Sequence, residues 1–240
     1  MKTLAIDTSN QPLSIAVLDG NELLTELTMT THKKHAEFIN GVIADLVKKA
    51  NLQPSDLDRI VVAEGPGSYT GIRMAVTVAK TLSMTLNIEL VMVSSLLSLS
   101  LNVDSDKYLI NPIFDGRNNN MFTGLYQRQQ GKLINVIEDQ HTNVDDWLKK
   151  LKNFDQPIII LGQTESFIDT YKKTLNNQVV VANSLTNIPR AAKMGIYSNN
   201  LEPVNDINSV VPKYLRLTKA EADWQKLHPK EGDENYVEKI

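Results

Sequence analysis

Apolar and polar positions along the first hundred residues change period several times, and each change marks an element. Residues 4–8, 13–18 and 22–27 are short runs rich in β-branched and aliphatic side chains, and they predict three strands in a meander. Asn10-Gln11-Pro12 breaks the first strand from the second, and Asp19-Gly20-Asn21 is a tight-turn signal before the third. The period then lengthens. Ile39, Val42, Ile43, Leu46, Val47 and Ala50 recur at three and four residues, which predicts an amphipathic helix from His32 or His35 to Ala50, with Phe38 widening its apolar stripe. Residues 59–63 (Arg-Ile-Val-Val-Ala) suit a parallel strand buried on both faces. A glycine-dense loop follows, then a helix over 72–86, a strand over 90–93, and a helix to about 101 capped by Ser94 or Ser95.

The second half repeats the theme. Residues 108–115 and 121–126 predict a hairpin around Gly116-Arg117-Asn118-Asn119-Asn120, and 133–137 add a third strand. A helix over 144–152 with Thr142 or Asn143 as cap, a buried strand over 158–161, a helix, a strand over 179–181 and a last helix complete the half. Both halves open on a strand that ends in aspartate, Asp7 and Asp115. The pattern is a duplicated βββαβαβα fold without a visible sequence repeat. It predicts an N-terminal lobe over 1–103, a C-terminal lobe over 104–218 and a charged tail over 219–240. This α/β order is that of the two-lobed actin and sugar-kinase (ASKHA, ribonuclease-H-like) superfamily, whose lobes hold a nucleotide in the cleft between them. Element order raises that reading without fixing the chemistry.

Composition narrows the function classes. The 240 residues are 42% hydrophobic with a formal net charge of −3, so disorder as the dominant state is excluded. Cysteine is absent, which removes disulfide scaffolds, thiolate zinc sites and cysteine nucleophiles. No apolar run approaches a membrane span, and the opening Met1-Lys2-Thr3-Leu4-Ala5-Ile6-Asp7 is not a signal peptide, so a soluble, cytoplasmic protein is expected. A pI near 5.8 lacks the cationic excess of a strong nucleic-acid binder, and the lysine pairs at 33–34, 48–49, 149–150 and 172–173 read as solvated helix faces.

Four features bear on chemistry. Asp7-Thr8-Ser9, at the end of a strand, has the groups to hold hydrated magnesium and phosphate oxygens, or to close an Asx-type turn. Its counterpart, Asp115-Gly116-Arg117, lacks a hydroxyl. Gly65-Pro66-Gly67-Ser68-Tyr69-Thr70-Gly71 empties into a helix and reads either as an anion cradle or as a turn that lets backbones pack closely; it is not a Walker A sequence. The following helix carries only Arg73 and Lys80 as charges and is apolar nearly all round, as expected of a helix covered on more than one side. His32 and His35 stand three apart beside two lysines, which fits a cap or surface role and not a metal site, and Ser68 and Ser94 have no assignable base.

Together, Leu4-Ala5-Ile6-Asp7-Thr8-Ser9, the glycine loop continued into Ile72-Arg73, and Val93-Ser94-Ser95-Leu96 resemble the bacterial TsaB proteins, also called YeaZ. Lesser matches are Asp115-Gly116-Arg117, where the family has Asp-Ala-Arg, and Pro212-Lys213-Tyr214-Leu215-Arg216. The resemblance is tight over about the first hundred residues and scattered beyond. It implies the two-lobed fold and a non-catalytic scaffold in tRNA N6-threonylcarbamoyladenosine biosynthesis. Such a scaffold dimerises with a catalytic TsaD subunit, works with the TsaE ATPase and meets tRNA only through the complex. ATP and a metal are then expected in the partner subunits, with no cofactor or metal in this chain. Ile39, Val42, Leu46, Met74, Val78 and Leu82 are the candidate partner contacts, and the run from Gly65 to Gly71 with Arg73 is the structural motif. A homodimer through the same face is expected when the partner is missing. The rival reading is an independent ATP-dependent kinase or hydrolase using Asp7 and Asp115, with Thr8 and Ser9 on phosphate.

Overall fold

Alternation along the strands sorts their side chains into layers. In β1 (Lys2–Asp7), Leu4 and Ile6 point to one face of a sheet and Ala5 to the other. The same split recurs in β2 (Pro12–Asp19), with Ile15 and Val17 against Ala16 and Leu18, and in β4 (Arg59–Gly65), with Ile60 and Val62 against Val61 and Ala63. Strands apolar on both faces need cover on both, and these receive it. The computed structural model describes residues 1–30 and 38–216. With β3 (Glu22–Thr30) and β5 (Glu89–Ser94), these strands form a five-stranded sheet in the order β3-β2-β1-β4-β5. The helices α1 (Ile39–Lys49) and α2 (Tyr69–Leu86) cover its outer face.

The second sheet contains β6 (Leu109–Asp115), β7 (Asn120–Gln129), β8 (Lys132–Asn143), β9 (Ile158–Gly162) and β10 (Val179–Val181). Its order, β8-β7-β6-β9-β10, is that of the first sheet with every strand replaced by its counterpart. In both lobes the meander is antiparallel and the last two strands are parallel to the first. The outer face is covered by α4 (Val144–Leu151) and α5 (Ile168–Leu175). Buried among them, the Trp147 indole N–H and the Tyr171 hydroxyl both donate to Asn111 Oδ1, at 3.1 and 2.8 Å.

Between the sheets lie α3 (Ser95–Ser100) and α6 (Ala191–Ser198). Their apolar side chains join the inner faces of both sheets in one core that includes Ala5, Leu18, Leu96, Leu99, Ile110, Phe114 and Met194. The two helices are exchanged. The α3 helix ends the first repeat yet packs on β6, β7 and β9 as well as on β4 and β5, and α6 ends the second yet packs on β1 and β2. The sheets divide between β5 and β6, and both α3 and α6 pack across that division. Residues 201–216 also return to the first lobe as a strap. Val204, Ile207 and Val210 pack beside α2 and β5, the Val204 amide donates to the Leu90 carbonyl, and Lys80 Nζ donates to the Asn208 and Val210 carbonyls.

Several boundaries differ from the sequence reading. The α2 helix begins at Tyr69 instead of Ile72 because Ser68 caps it, its hydroxyl accepting from the Gly71 amide at 3.3 Å. The β8 strand runs on to Asn143 because it stays paired with β7 as far as Asn120. In α1 the helical residues start at Ile39; the earlier starts at His32 or His35, like the tail over 219–240, lie outside the described residues. Among the described residues no helix is long and apolar enough to cross a membrane.

Candidate functional site

The site is built where β1 ends and α2 begins. Asp7 is fully buried, and its carboxylate closes an Asx-type turn: Oδ1 accepts from the amide and the hydroxyl of Ser9 at 3.0 and 2.7 Å. Oδ2 accepts from the Ser98 hydroxyl on α3 at 2.8 Å. The Thr8 hydroxyl donates to the Gly71 carbonyl at 2.7 Å, and the Ser68 amide donates to the Ser9 carbonyl at 2.7 Å. All three polar residues that could face a phosphate or a hydrated metal are thus spent on the protein itself.

The glycine loop makes this closure possible. A methyl group at Gly67 would stand 2.0 Å from the Ser9 carbonyl oxygen, and one at Gly71 would stand 2.2 Å from that of Thr8. Two backbones approach so closely that only hydrogen fits between them. The loop therefore packs directly on the turn that carries Asp7, whose two carboxylate oxygens are both engaged within the protein.

Burial pushes the Asp7 carboxyl above its ordinary range, against the opposing pull of the Ser9 and Ser98 hydrogen bonds. Burial likewise raises Glu64 and Asp139. A carboxyl that holds its proton more tightly when folded favours the folded state at low pH. That advantage is lost as pH rises from about 4, where free carboxyls ionise, through the raised folded values. Denaturant titrations across that range should therefore show a smaller loss of stability with rising pH in Asp7→Asn than in wild type. At neutral pH Asp7→Asn should be at least as stable as wild type. Asp7→Ala, which strips three donors of their acceptor, should cost about 2–4 kcal/mol. A larger loss for Asp7→Asn than for Asp7→Ala would contradict this account.

Asp115 is placed differently. It is exposed, and its Oδ1 accepts from the Arg117 amide at 2.8 Å within the β6–β7 hairpin. It lines an interlobe cleft of about 510 Å³ together with Asn10, Ser68, Tyr69, Arg117, Gln163 and Arg216. Across this cleft Gln163 Nε2 donates to Asn10 Oδ1 at 3.0 Å, and Arg216 Nη1 donates to the Gly116 carbonyl at 3.1 Å. The structure does not join Asp7 and Asp115 in one open site: the first lies under the loop and the second on the rim. His141 packs against Phe122 at 4.9 Å, and burial, aided by Arg216, lowers its pKa.

A second seam lies behind the cleft. Asp139 on β8 accepts hydrogen bonds from Ser94 at the end of β5 and from Tyr126 on β7, which ties the lobes together. The strap closes over it, the Lys213 amide donating to the Glu64 carbonyl at 2.9 Å. Sequence reasoning missed the strap; its only signal was the three-residue spacing of Val204, Ile207 and Val210.

The candidate partner contacts divide. Ile39 and Leu46 are 1% and 6% exposed in the first lobe's own core, so they have no surface to offer. Val42, Met74, Val78 and Leu82 are half-buried. Beside them runs a groove of about 550 Å³ between α1 and α2, lined by Ile43, Ala44, Val47, Leu52, Leu82 and Leu86 among others. The exposed arc of α2 carries Thr77, Thr81, Met84 and Thr85, with no charge between Arg73 and the helix end on that arc.

A duplicated sheet core with central helices packed between the sheets and a cleft between its lobes defines the actin and sugar-kinase class of fold, here with the Asp7 turn packed against the chain's own glycine loop. A family model described as "TsaD: tRNA N6-adenosine threonylcarbamoyltransferase" matches residues 27–224. The tRNA threonylcarbamoyladenosine biosynthesis protein TsaB of Bacillus subtilis is 39% identical over 225 residues, covering 93% of this chain and 98% of the relative. Among solved structures, a Pseudomonas aeruginosa protein described as similar to peptidase YEAZ superposes with a TM-score of 0.77 at 23% identity, covering 90% of this chain and 99% of that one. YeaZ from the same organism gives 0.72 at 22%, covering 89% and 99%. The chain belongs to the TsaB family.

Proposed function

We propose that this chain acts in tRNA threonylcarbamoyladenosine biosynthesis as a non-catalytic subunit that docks a TsaD-like catalytic subunit through α1 and α2. The observation that carries the reading is the closed turn at Asp7. The Asp7 carboxylate is buried with both oxygens engaged and Gly67 is pressed on Ser9, so this turn offers no open carboxylate to a metal–phosphate group. ATP and a metal then belong to the partner subunits, a TsaE-like ATPase among them. The half-buried Val42, Met74, Val78 and Leu82 flank the groove through which docking would occur. Without the partner, the same apolar face would be covered by a second copy of the chain.

The rival, an independent kinase or hydrolase working through Asp7 and Asp115, needs a nucleotide to displace the glycine loop. Calorimetric titration separates the two. The expected result is no heat from ATP and magnesium with the chain alone, tight association with a TsaD-like partner, and nucleotide binding only in the mixture. Micromolar ATP binding by the lone chain, lost in Asp7→Ala and unaccompanied by affinity for the partner, would overturn the scaffold reading.

A further inference from the structure

The loop's closure on Thr8 and Ser9 uses Gly67, Ser68 and Gly71, which leaves Tyr69 without a part in it. Tyr69 is half exposed at the cleft mouth and stacks on Tyr214 of the strap, ring centroids 5.4 Å apart and planes 28° from parallel. Tyr214 is 44% exposed. The Arg73 guanidinium lies 5.1 Å from the Tyr69 ring centre and interacts with both hydroxyls. Two stacked aromatic rings left about half exposed beside a cation are an unusual use of surface for packing alone. Arg117 on the hairpin and Arg216 on the strap, both exposed, line the cleft that runs from this pair. Its one lining carboxylate, Asp115, is engaged by the Arg117 amide.

We propose that the Tyr69–Tyr214 pair, with Arg73, Arg117 and Arg216 around it, is a binding site for unpaired RNA, one base stacking on the tyrosines while the backbone passes the arginines. Aromatic faces beside cations are the general equipment for holding single strands, since every base has a face to stack and every linkage a charge. A free nucleoside triphosphate fits worse, because the Asp7 carboxylate is buried and engaged within the protein, and Tyr214 stands outside the cleft lining, so the stacked pair is not enclosed. The three arginines come from three separate segments, α2, the β6–β7 hairpin and the strap; Arg117 and Arg216 line the cleft and Arg73 lies against Tyr69. The choice of RNA as the strand rests on the tRNA-modification reading; the stacking site itself does not. With a net charge of −3 the chain supplies a local contact and not a general electrostatic grip.

Fluorescence anisotropy at low salt, with the full chain and a labelled RNA hairpin bearing an unpaired loop, tests this. The hairpin should bind, and a fully paired RNA of equal length should bind at least about tenfold more weakly. The double variant Tyr69→Ala, Tyr214→Ala should lose about tenfold or more, whereas Tyr69→Phe, which keeps the ring, should bind as wild type does. Arg117→Asn, a residue at ease with the positive φ of that position, should reduce the log–log salt slope by about 0.7. Circular dichroism checks that each variant is folded. No binding by the folded chain, equal binding of paired RNA, or displacement of the hairpin by micromolar ATP would each overturn the inference. Capture of the TsaD-like partner, measured on the same variants, keeps the two readings apart. If partner capture persists where RNA binding is absent, only the RNA site fails; if the partner is never captured, the subunit reading fails.

Discussion

Gly71→Ala should destabilise the chain by about 3 kcal/mol, a fall in Tm of roughly 6–12 °C for a protein of this size. The sign is the informative part. Gly71 lies in the first turn of α2, and in an exposed helix the same change would stabilise by up to about 1 kcal/mol, because alanine is the better helix former. Here the new methyl group would sit 2.2 Å from the Thr8 carbonyl oxygen, and that oxygen is backbone with no rotamer to swing away. Relief requires α2 to slide off the β1–β2 turn. Sliding stretches the bond from the Thr8 hydroxyl to the Gly71 carbonyl and the bond from the Ser68 amide to the Ser9 carbonyl. Gly67→Ala, with its contact at 2.0 Å to Ser9, should act in the same direction. The double variant should cost less than the sum, since both press on one turn and a single displacement relieves both. Thermal melts of the three variants measure this. A Tm unchanged or raised in Gly71→Ala would mean that the loop does not rest on the turn, and the ground before Asp7 would have to be treated as open.

The layers of this fold are legible in the sequence because each face of each strand leaves a separate trace. Leu4 and Ile6 alternate with Ala5, Ile15 and Val17 with Ala16, so a sheet covered on both sides follows from period alone. The duplication is legible for the same reason: both halves repeat one order of periods even where no residues match. The glycine loop was readable as either a cradle or a close-packing turn, and residue types could not choose between them. What chooses is the position of the Ser9 carbonyl, a distance set by tertiary packing. The exchange of α3 and α6 was also out of reach. A helix of alanine, methionine and glycine such as α6 is apolar enough to be buried, but its pattern does not name the sheet it will cover. The partner face shows the same limit from another side. Ile39, Val42 and Leu46 share one helical stripe, and only the angle at which α1 sits on the sheet sends Ile39 and Leu46 inward and leaves Val42 at the margin.

That geometry sets the second large effect. Val78→Asp should weaken association with a TsaD-like partner by at least about 100-fold while the chain stays folded. Val78 lies between Met74 and Leu82 on the flank of α2 nearest α1, half-buried rather than enclosed, so in the free subunit a carboxylate there keeps access to water. A docked partner would remove that access, and the neighbouring arc of α2, Thr77, Thr81 and Thr85, supplies no counter-charge. The uncompensated charge is what weakens the complex. Thr81→Arg serves as the second variant, since Thr81 is exposed and stands outside the buried core of the lobe. Both should elute as folded monomers and fail to bind the partner in calorimetry, and the homodimer expected of the isolated chain should be lost with them. Undiminished binding by folded Val78→Asp and Thr81→Arg would move the docking surface off this face. The groove between α1 and α2 would then need a different occupant.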